Sequence, residues 1–236
     1  MKLFDAVIVG AGPSGSATAI GLARRGYDVA LIDKQNFPRE KLCGDFINPI
    51  NWGVFADLGV ADRVLAAPHG EVTGFRITNC SGREAEARFR LRELEPSMGL
   101  GLRRAALDQL LVERAAELGA VTHLGCRIEK FSKIAHGWDV KIKEESWQTK
   151  ILIGADGRNS RLARTVQTPV YEMTPPLTCY YFSYWSGVET RAFELYQRTA
   201  ERRVIFSFKT SDGLYAVFVG APIEELSEIR TNIEAH

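Results

Sequence analysis

The sequence predicts an α/β fold in which a parallel, helix-covered sheet is joined to a mostly antiparallel one. Three observations carry this. Residues 5–10 (DAVIVG) are an almost continuous apolar run that stops at glycine, the pattern of a parallel strand buried on both faces. Residues 13–25 (PSGSATAIGLARR) then read as a helix with Pro13 in its first turn, and 28–33 (DVALID) as a second buried strand, which together make a right-handed βαβ unit. From about residue 168 the character changes: 179–187 (CYYFSYWSG), 192–197, 203–208 (RVIFSF) and 214–219 (LYAVFV) are aromatic and β-branched, with SDG at 211–213 as a hairpin turn.

Between these lie weaker signals. Residues 53–66 carry a short helical pattern, and 72–78 and 84–91 are strand-like. In 84–91 apolar Ala85, Ala87, Phe89 and Leu91 alternate with charged residues, so one face is expected to be wet. Residues 103–118 return to helix, with Leu107, Leu110, Leu111 and Leu118 in one stripe and Gly119 past the end. Residues 120–125, 126–132, 138–143 and 149–155 read as strands.

Bulk properties narrow the function classes. The 236 residues are 45% hydrophobic and 25% charged with a formal net charge of +1, so nothing calls for nucleic acid. The apolar run at the N-terminus is too short for a signal peptide or a membrane span. Cys43, Cys80, Cys126 and Cys179 fit neither a disulfide framework nor a zinc site, and His69, His123, His136 and His236 have no ligand spacing. No metal is expected, and a reducing cytoplasm is the simplest home.

The chemistry begins at Gly10-Ala11-Gly12-Pro13-Ser14-Gly15. Gly10 permits the tight turn out of the strand, Gly12 lets the backbone approach a pyrophosphate, and Gly15 lets the helix pack on the strand. The helix N-terminus offers free N–H groups to phosphate. Asp33 ends the second strand, where its carboxylate can accept from an adenosine ribose; Lys34 beside it joins the candidates. This is a Rossmann-like dinucleotide fingerprint, and it does not by itself distinguish NAD from FAD.

Three further stretches do. Residues 38–45 (PREKLCGD), 103–108 (RRAALD) and 154–161 (GADGRNSR), in this order after the fingerprint, resemble the flavoprotein monooxygenases and geranylgeranyl-reductase-like oxidoreductases. The resemblance implies a discontinuous FAD/NAD(P)-binding domain of the glutathione-reductase type at 1–70 and 101–167. A mostly antiparallel substrate-domain sheet is inserted at 71–100 and 168–236. It implies FAD as cofactor and NAD(P)H as a transient electron donor. By the same resemblance Arg39, Lys41, Cys43 and Gly44 run along the flavin, with the Cys-Gly pair beside its ring and Cys43 a catalytic candidate. Arg103 and Arg104 supply a flavin-contacting arginine, Arg104 being the better match, and Asp156 and Gly157 lie near the pyrophosphate. Tyr180, Tyr181, Phe182, Tyr184 and Trp185 are candidates to line a substrate pocket.

Members of that family continue past residue 236 and carry a Gly-Asp motif after the substrate sheet. The only Gly-Asp here is Gly44-Asp45, so the chain is expected to be an N-terminal portion with the C-terminal part missing. The leading expectation is an NAD(P)H-dependent flavin monooxygenase acting on a small organic, natural-product-like molecule. The alternatives are a reductase of isoprenoid-like double bonds, suggested by PREKLCGD, and a non-catalytic flavoprotein remnant. A halogenase is disfavoured, because 214–222 (LYAVFVGAP) holds no W-x-W-x-I-P stretch. The sequence leaves the substrate, NADH against NADPH, and the oligomeric state open.

Overall fold

The computed structural model describes residues 2–41, 45–90 and 97–233. The chain runs through β1 (Lys2–Val9), α1 (Pro13–Ala23), β2 (Val29–Ile32), β3 (Phe46–Ile47), α2 (Asn51–Leu58) and α3 (Ala61–Ala66). There follow β4 (Gly70–Val72), β5 (Gly74–Thr78), β6 (Glu84–Arg88), β7 (Gly99–Gly101) and α4 (Arg104–Glu117). Next come β8 (Val121–His123), β9 (Lys130–Ile134), β10 (Gly137–Ile142), β11 (Glu145–Gly154) and the short α5 (Arg161–Thr165). The last third holds β12 (Thr178–Trp185), β13 (Ala192–Arg198), β14 (Arg203–Lys209), β15 (Tyr215–Pro222) and α6 (Leu226–Thr231). Among the described residues no helix is long and apolar enough to cross a membrane.

Two compact units result. The first holds the described residues up to 41, 54–67 and 104–169; the second holds 45–53, 68–90, 97–103 and 170–233. The stretch 45–53, which the sequence reading keeps with residues 1–70, therefore groups with the second unit, and so does Arg103.

The first unit is built on a sheet of order β8-β2-β1-β11-β10-β9. Strand β1 is parallel to β2 and β11, and β2 to β8, while β9, β10 and β11 are antiparallel neighbours. The apolar runs explain the centre: Ala6, Val7, Ile8 and all four residues of β2 are buried. Trp147, fully buried, packs among Phe4, Val7, Val140 and Ile142, each such side chain contributing about 1.5–3 kcal/mol by leaving water. Helix α4 buries Leu107, Leu111, Val112 and Ala115, whereas Leu110 and Leu118 of the expected stripe are only half-buried.

Two expectations shift here. The helical pattern at 53–66 is two helices, parted at Gly59, whose φ of +69° ends α2. The stretch 126–132 is strand only from Lys130. Upstream of it the backbone is engaged elsewhere: Cys126 N–H donates to the Asp33 carbonyl, and the carbonyls of Ile128 and Glu129 accept from the Arg161 guanidinium.

The second unit carries a sheet of order β12-β15-β14-β13-β5-β6 and a small sheet β3-β7-β4. All pairings are antiparallel except β13 with β5. The SDG turn is a single 3-10 turn with Asp212 at φ +62°. Strand β6 departs from expectation: it is an edge strand and all five of its residues are exposed, so Ala85 and Ala87 gain no buried face. Alternation holds along β12. Tyr181 packs with Cys179, Ala221 and Ile229, while Tyr184 sits on the other face with Phe208 and Ala216.

Candidate functional site

The glycine turn after β1 shows three different reasons for glycine. Gly10 has φ +104°, and a Cβ there would stand 2.3 Å from the Ala155 carbonyl oxygen; at Gly15 it would stand 1.8 Å from the Gly10 carbonyl oxygen. Both positions are closed to any side chain by the fold itself. Gly12 is different. Among the described residues a Cβ there would meet only the Nη2 atoms of Arg39 at 3.6 Å and Arg104 at 3.8 Å, ordinary contact distances. Gly12 is also the N-cap of α1, with Pro13 following, and among the described residues no side chain caps the first-turn N–H groups beside half-buried Pro13 and exposed Ser14.

The two arginines are fixed by one acid. Asp108, with no exposed side-chain surface, accepts from Arg104 Nε at 2.8 Å and Arg104 Nη2 at 2.9 Å, and pairs with Arg39 Nη2 at 3.2 Å. Two guanidinium groups therefore share one buried carboxylate beside Gly12. The Nε of Arg39 is buried and has no hydrogen-bond partner among the described residues.

Asp33 is buried at the end of β2. Its Oδ2 accepts from Ala11 N–H at 2.8 Å and its Oδ1 from Gln35 N–H at 2.9 Å. These use one lone pair on each oxygen and hold the carboxylate against the glycine turn; the remaining lone pairs can accept from ligand hydroxyls. Beside it opens a cavity of about 270 Å³ lined by Val9, Asp33, Lys34, Ile128, Asp156 and Arg161 among others.

Asp156 reaches this cavity from the GADG turn. Its Oδ2 accepts from Arg161 N–H at 2.7 Å and Leu162 N–H at 3.3 Å, and Ser160 Oγ accepts from Ala163 N–H at 2.9 Å, so α5 is doubly capped. Burial pushes the Asp156 carboxyl up, but the Ser160 hydroxyl and these backbone donors outweigh it and hold it below its usual range. Its Oδ1 is buried without a partner among the described residues. Gly157 follows with φ +85°.

The sequence-predicted residues are thus partly gathered. Gly10, Gly12, Pro13, Ser14, Gly15, Asp33, Lys34, Arg39, Arg104, Asp156 and Gly157 lie in the first unit. Lys41 is exposed, and Cys43 and Gly44 lie outside the described residues. Sequence reasoning missed Asp108 as the shared partner, although its i+4 spacing from Arg104 in RRAALD was a signal. It also missed Arg161, whose guanidinium ties the cavity wall, and Ile128 and Phe131, whose place in that wall has no sequence signal.

Arg103 stands in the second unit, with its guanidinium over the Tyr184 ring at 4.4 Å. The Tyr184 hydroxyl donates to Oδ2 of buried Asp45 at 2.7 Å. Next to Tyr184 runs a ladder of rings across neighbouring strands. Phe182 stacks on Phe218 at 4.9 Å, Phe218 on Phe206 at 4.7 Å, and Phe206 on Phe193 at 5.5 Å. These four rings are half-buried.

Comparison with known proteins shows the family. Residues 4–220 match the family described as FAD binding domain. The geranylgeranyl diphosphate reductase of Rhodobacter capsulatus is 34% identical over 168 residues, 69% of this chain and 40% of the relative. The menaquinone reductase of Mycobacterium tuberculosis is 34% identical over 170 residues, 68% of this chain and 39% of the relative. The crystal structure of PqsL from Pseudomonas aeruginosa, described as a probable FAD-dependent monooxygenase, superposes with a TM-score of 0.80 at 17% identity, over 97% of this chain and 63% of that one. The chain spans about two fifths of the length of the curated relatives it matches. With the glycine turn, buried Asp33 and the arginine pair in one unit, the chain belongs to the family described as FAD binding domain.

Proposed function

We propose that this chain holds FAD through its first unit and serves an NAD(P)H-dependent oxidoreductase acting on a small organic substrate with an apolar body. The observation that carries the reading is the space at Gly12. Among the described residues the space there would admit a side chain, yet the position is glycine and lies under two arginines held by one buried carboxylate. A pyrophosphate fits those cations and that space.

The remaining assignments follow the donors and acceptors present. Gly10, Gly12, Pro13, Ser14 and Gly15 form the phosphate turn, with Arg39 and Arg104 as its cations. Asp33 accepts from the adenosine ribose, with Lys34 at the mouth of the neighbouring cavity. Asp156 and Gly157 offer Oδ1, a buried acceptor without a partner among the described residues, to a cofactor hydroxyl or its bound water. Lys41, Cys43 and Gly44 are carried by resemblance alone. The second unit supplies the substrate surface, the phenylalanine ladder beside Tyr184.

FAD, when bound, supplies the hydride and electron chemistry; the residues here bind it, orient it and keep water from its phosphates. NAD(P)H is the transient donor. The 34% identity to two proteins named as reductases favours a reductase, and the resemblance of PREKLCGD at 38–45 suggests an isoprenoid-like double bond as what it reduces. Monooxygenation is the second reading, supported by the hydroxylase-like GADGRNSR at 154–161.

The test is the visible absorption spectrum of the purified chain with and without added FAD. Flavin bands that survive gel filtration are expected, and NAD(P)H oxidation is then followed with and without oxygen, each with a geranylgeranyl diphosphate acceptor present to take up the hydride equivalents. Oxygen-independent turnover assigns the reductase and oxygen-dependent product the monooxygenase. A colourless chain that FAD does not reconstitute, while an extended chain is reconstituted, overturns the claim that these residues suffice to hold the cofactor.

A further inference from the structure

We propose that Arg103 is a substrate-side cation and that the aromatic face of the second unit takes an organic anion. The apolar planar body would lie on the phenylalanines and the oxyanion head on the guanidinium. This rests on the reading above that the face receives the substrate, and it adds the chemical class.

The two neighbouring arginines of RRAALD are in opposite situations. Arg104 spends its side-on donors, Nε and Nη2, on Asp108. Arg103 has no such acceptor: its Nε is buried with no hydrogen-bond partner among the described residues. Its carboxylate neighbour, Asp212, stands 3.7 Å from Nη1, beyond hydrogen-bond reach, and is 60% exposed. A solvent-screened pair at that distance satisfies little of a guanidinium's charge.

The unspent donors are held in place. The guanidinium stands over the Tyr184 ring at 4.4 Å, and the Arg103 N–H donates to Ser211 Oγ at 3.4 Å. Asp45 pins Tyr184 and the backbone that precedes Arg103. Its carboxylate accepts from the Tyr184 hydroxyl at 2.7 Å, and its carbonyl accepts from Leu102 N–H at 2.7 Å, one residue before Arg103. The Asp45 charge meets the phenol at its hydroxyl edge, whereas Arg103 covers its face. A guanidinium fixed by stacking, with its Nε end buried, presents its two Nη groups end-on as paired donors, which a carboxylate or phosphate accepts.

The apolar part of the ligand is set by what adjoins. Tyr184 meets Phe182 edge-on at 5.5 Å, and the stack Phe182–Phe218–Phe206 continues from there. All three rings are half-buried. An aromatic or polyunsaturated body gains from such rings, and a charged head at its Tyr184 end meets Arg103.

The test is calorimetric titration of the full chain, with FAD at saturation so that the arginine pair over Gly12 is occupied. The probes are 2-naphthoate and its neutral counterpart 2-naphthamide. Wild type is expected to bind 2-naphthoate about tenfold more tightly than the amide. Arg103→Met should bring the two probes level by weakening the acid alone, and Phe206→Leu should weaken both alike. Arg103→Lys, which keeps charge but loses the paired donors, should retain only part of the preference; it decides the matter if the Met variant does not fold. Equal binding of both probes by wild type overturns the proposal and leaves the aromatic face as substrate surface. A preference undiminished in the Arg103 variants also overturns it, since another cation must then hold the head. Binding of neither probe removes the aromatic-face reading itself.

Discussion

Arg104 grips Asp108 one helical turn further along α4 through two parallel hydrogen bonds of 2.8 and 2.9 Å. The same carboxylate reaches Arg39 at 3.2 Å. One buried acid therefore fixes two cations from separate stretches of chain above the glycine turn. A carboxylate with no exposed surface is costly to hold unless both of its oxygens are paired, and here both are.

Removing the acid should therefore do two things. Asp108→Ala leaves two guanidinium groups without their shared anion, a loss of about 3 kcal/mol for breaking a buried pair. Urea unfolding should show this as a lower midpoint. FAD titration should show weaker binding too, because the arginines are no longer aimed. Asp108→Asn keeps the shape and loses the charge, so its effects should be smaller in both measurements. An Asn variant indistinguishable from wild type in both would show that the carboxylate's charge has no role.

The glycine turn offers a cleaner separation of fold from ligand. Gly15→Ala places a Cβ 1.8 Å from the Gly10 carbonyl oxygen, and α1 would have to leave the sheet. That variant should be recovered as insoluble or unfolded protein by circular dichroism. Among the described residues Gly12→Ala meets nothing closer than 3.6 Å, and its φ of −73° is one that alanine adopts freely. It should keep its thermal midpoint and lose FAD affinity by about tenfold or more, since the methyl group fills the space a pyrophosphate would use. Unchanged FAD affinity in Gly12→Ala would count against the phosphate turn.

Much of this was legible in the sequence, for identifiable reasons. The βαβ unit was readable because burial on both faces leaves continuous apolar runs at β1 and β2. The antiparallel sheet was readable because β12 to β15 are aromatic and separated by turn residues. What escaped was tertiary. Nothing local says that Asp108 serves Arg39 as well as Arg104, since their partnership depends on a loop returning 69 residues away in sequence. Nor does the adjacency of Arg103 and Arg104 reveal that their side chains serve different units. The exposure of β6 was hidden because its alternation is that of a half-buried strand, while its place at the sheet edge is decided by β5 and β13.

Asp33 illustrates a residue whose charge is less important than its acceptors. Each of its oxygens takes a backbone N–H, from Ala11 and from Gln35. Asp33→Asn supplies one acceptor oxygen and turns an NH₂ toward the other N–H. One buried donor is then unpaired at a cost of about 1–3 kcal/mol. The expected result is a lower thermal midpoint together with weaker FAD binding. Asp33→Glu keeps both acceptors but moves them, so it should also lose affinity. Full FAD affinity in the Asn variant would remove Asp33 from the cofactor site.

His123 ends β8 beside Trp147, with ring centroids 4.5 Å apart. Burial pushes its imidazole below the ordinary value of 6.5, and Lys2 adds to this while Glu145 opposes it. The folded protein therefore resists taking up a proton that the unfolded chain accepts readily. A group lowered in the folded state contributes stability that is complete above its unfolded value and is lost as pH falls through the folded one. Stability should thus decline as the pH drops below 6.5, on the acid side of neutrality and before carboxylates titrate. His123→Phe keeps a ring against Trp147 and cannot be protonated, so its stability profile should be flatter in that interval. The measurement is the urea midpoint at a series of pH values from 7.5 to 5, on the order of the span over which an imidazole titrates. Parallel profiles for wild type and His123→Phe would show that the imidazole is not what makes the fold acid-sensitive there.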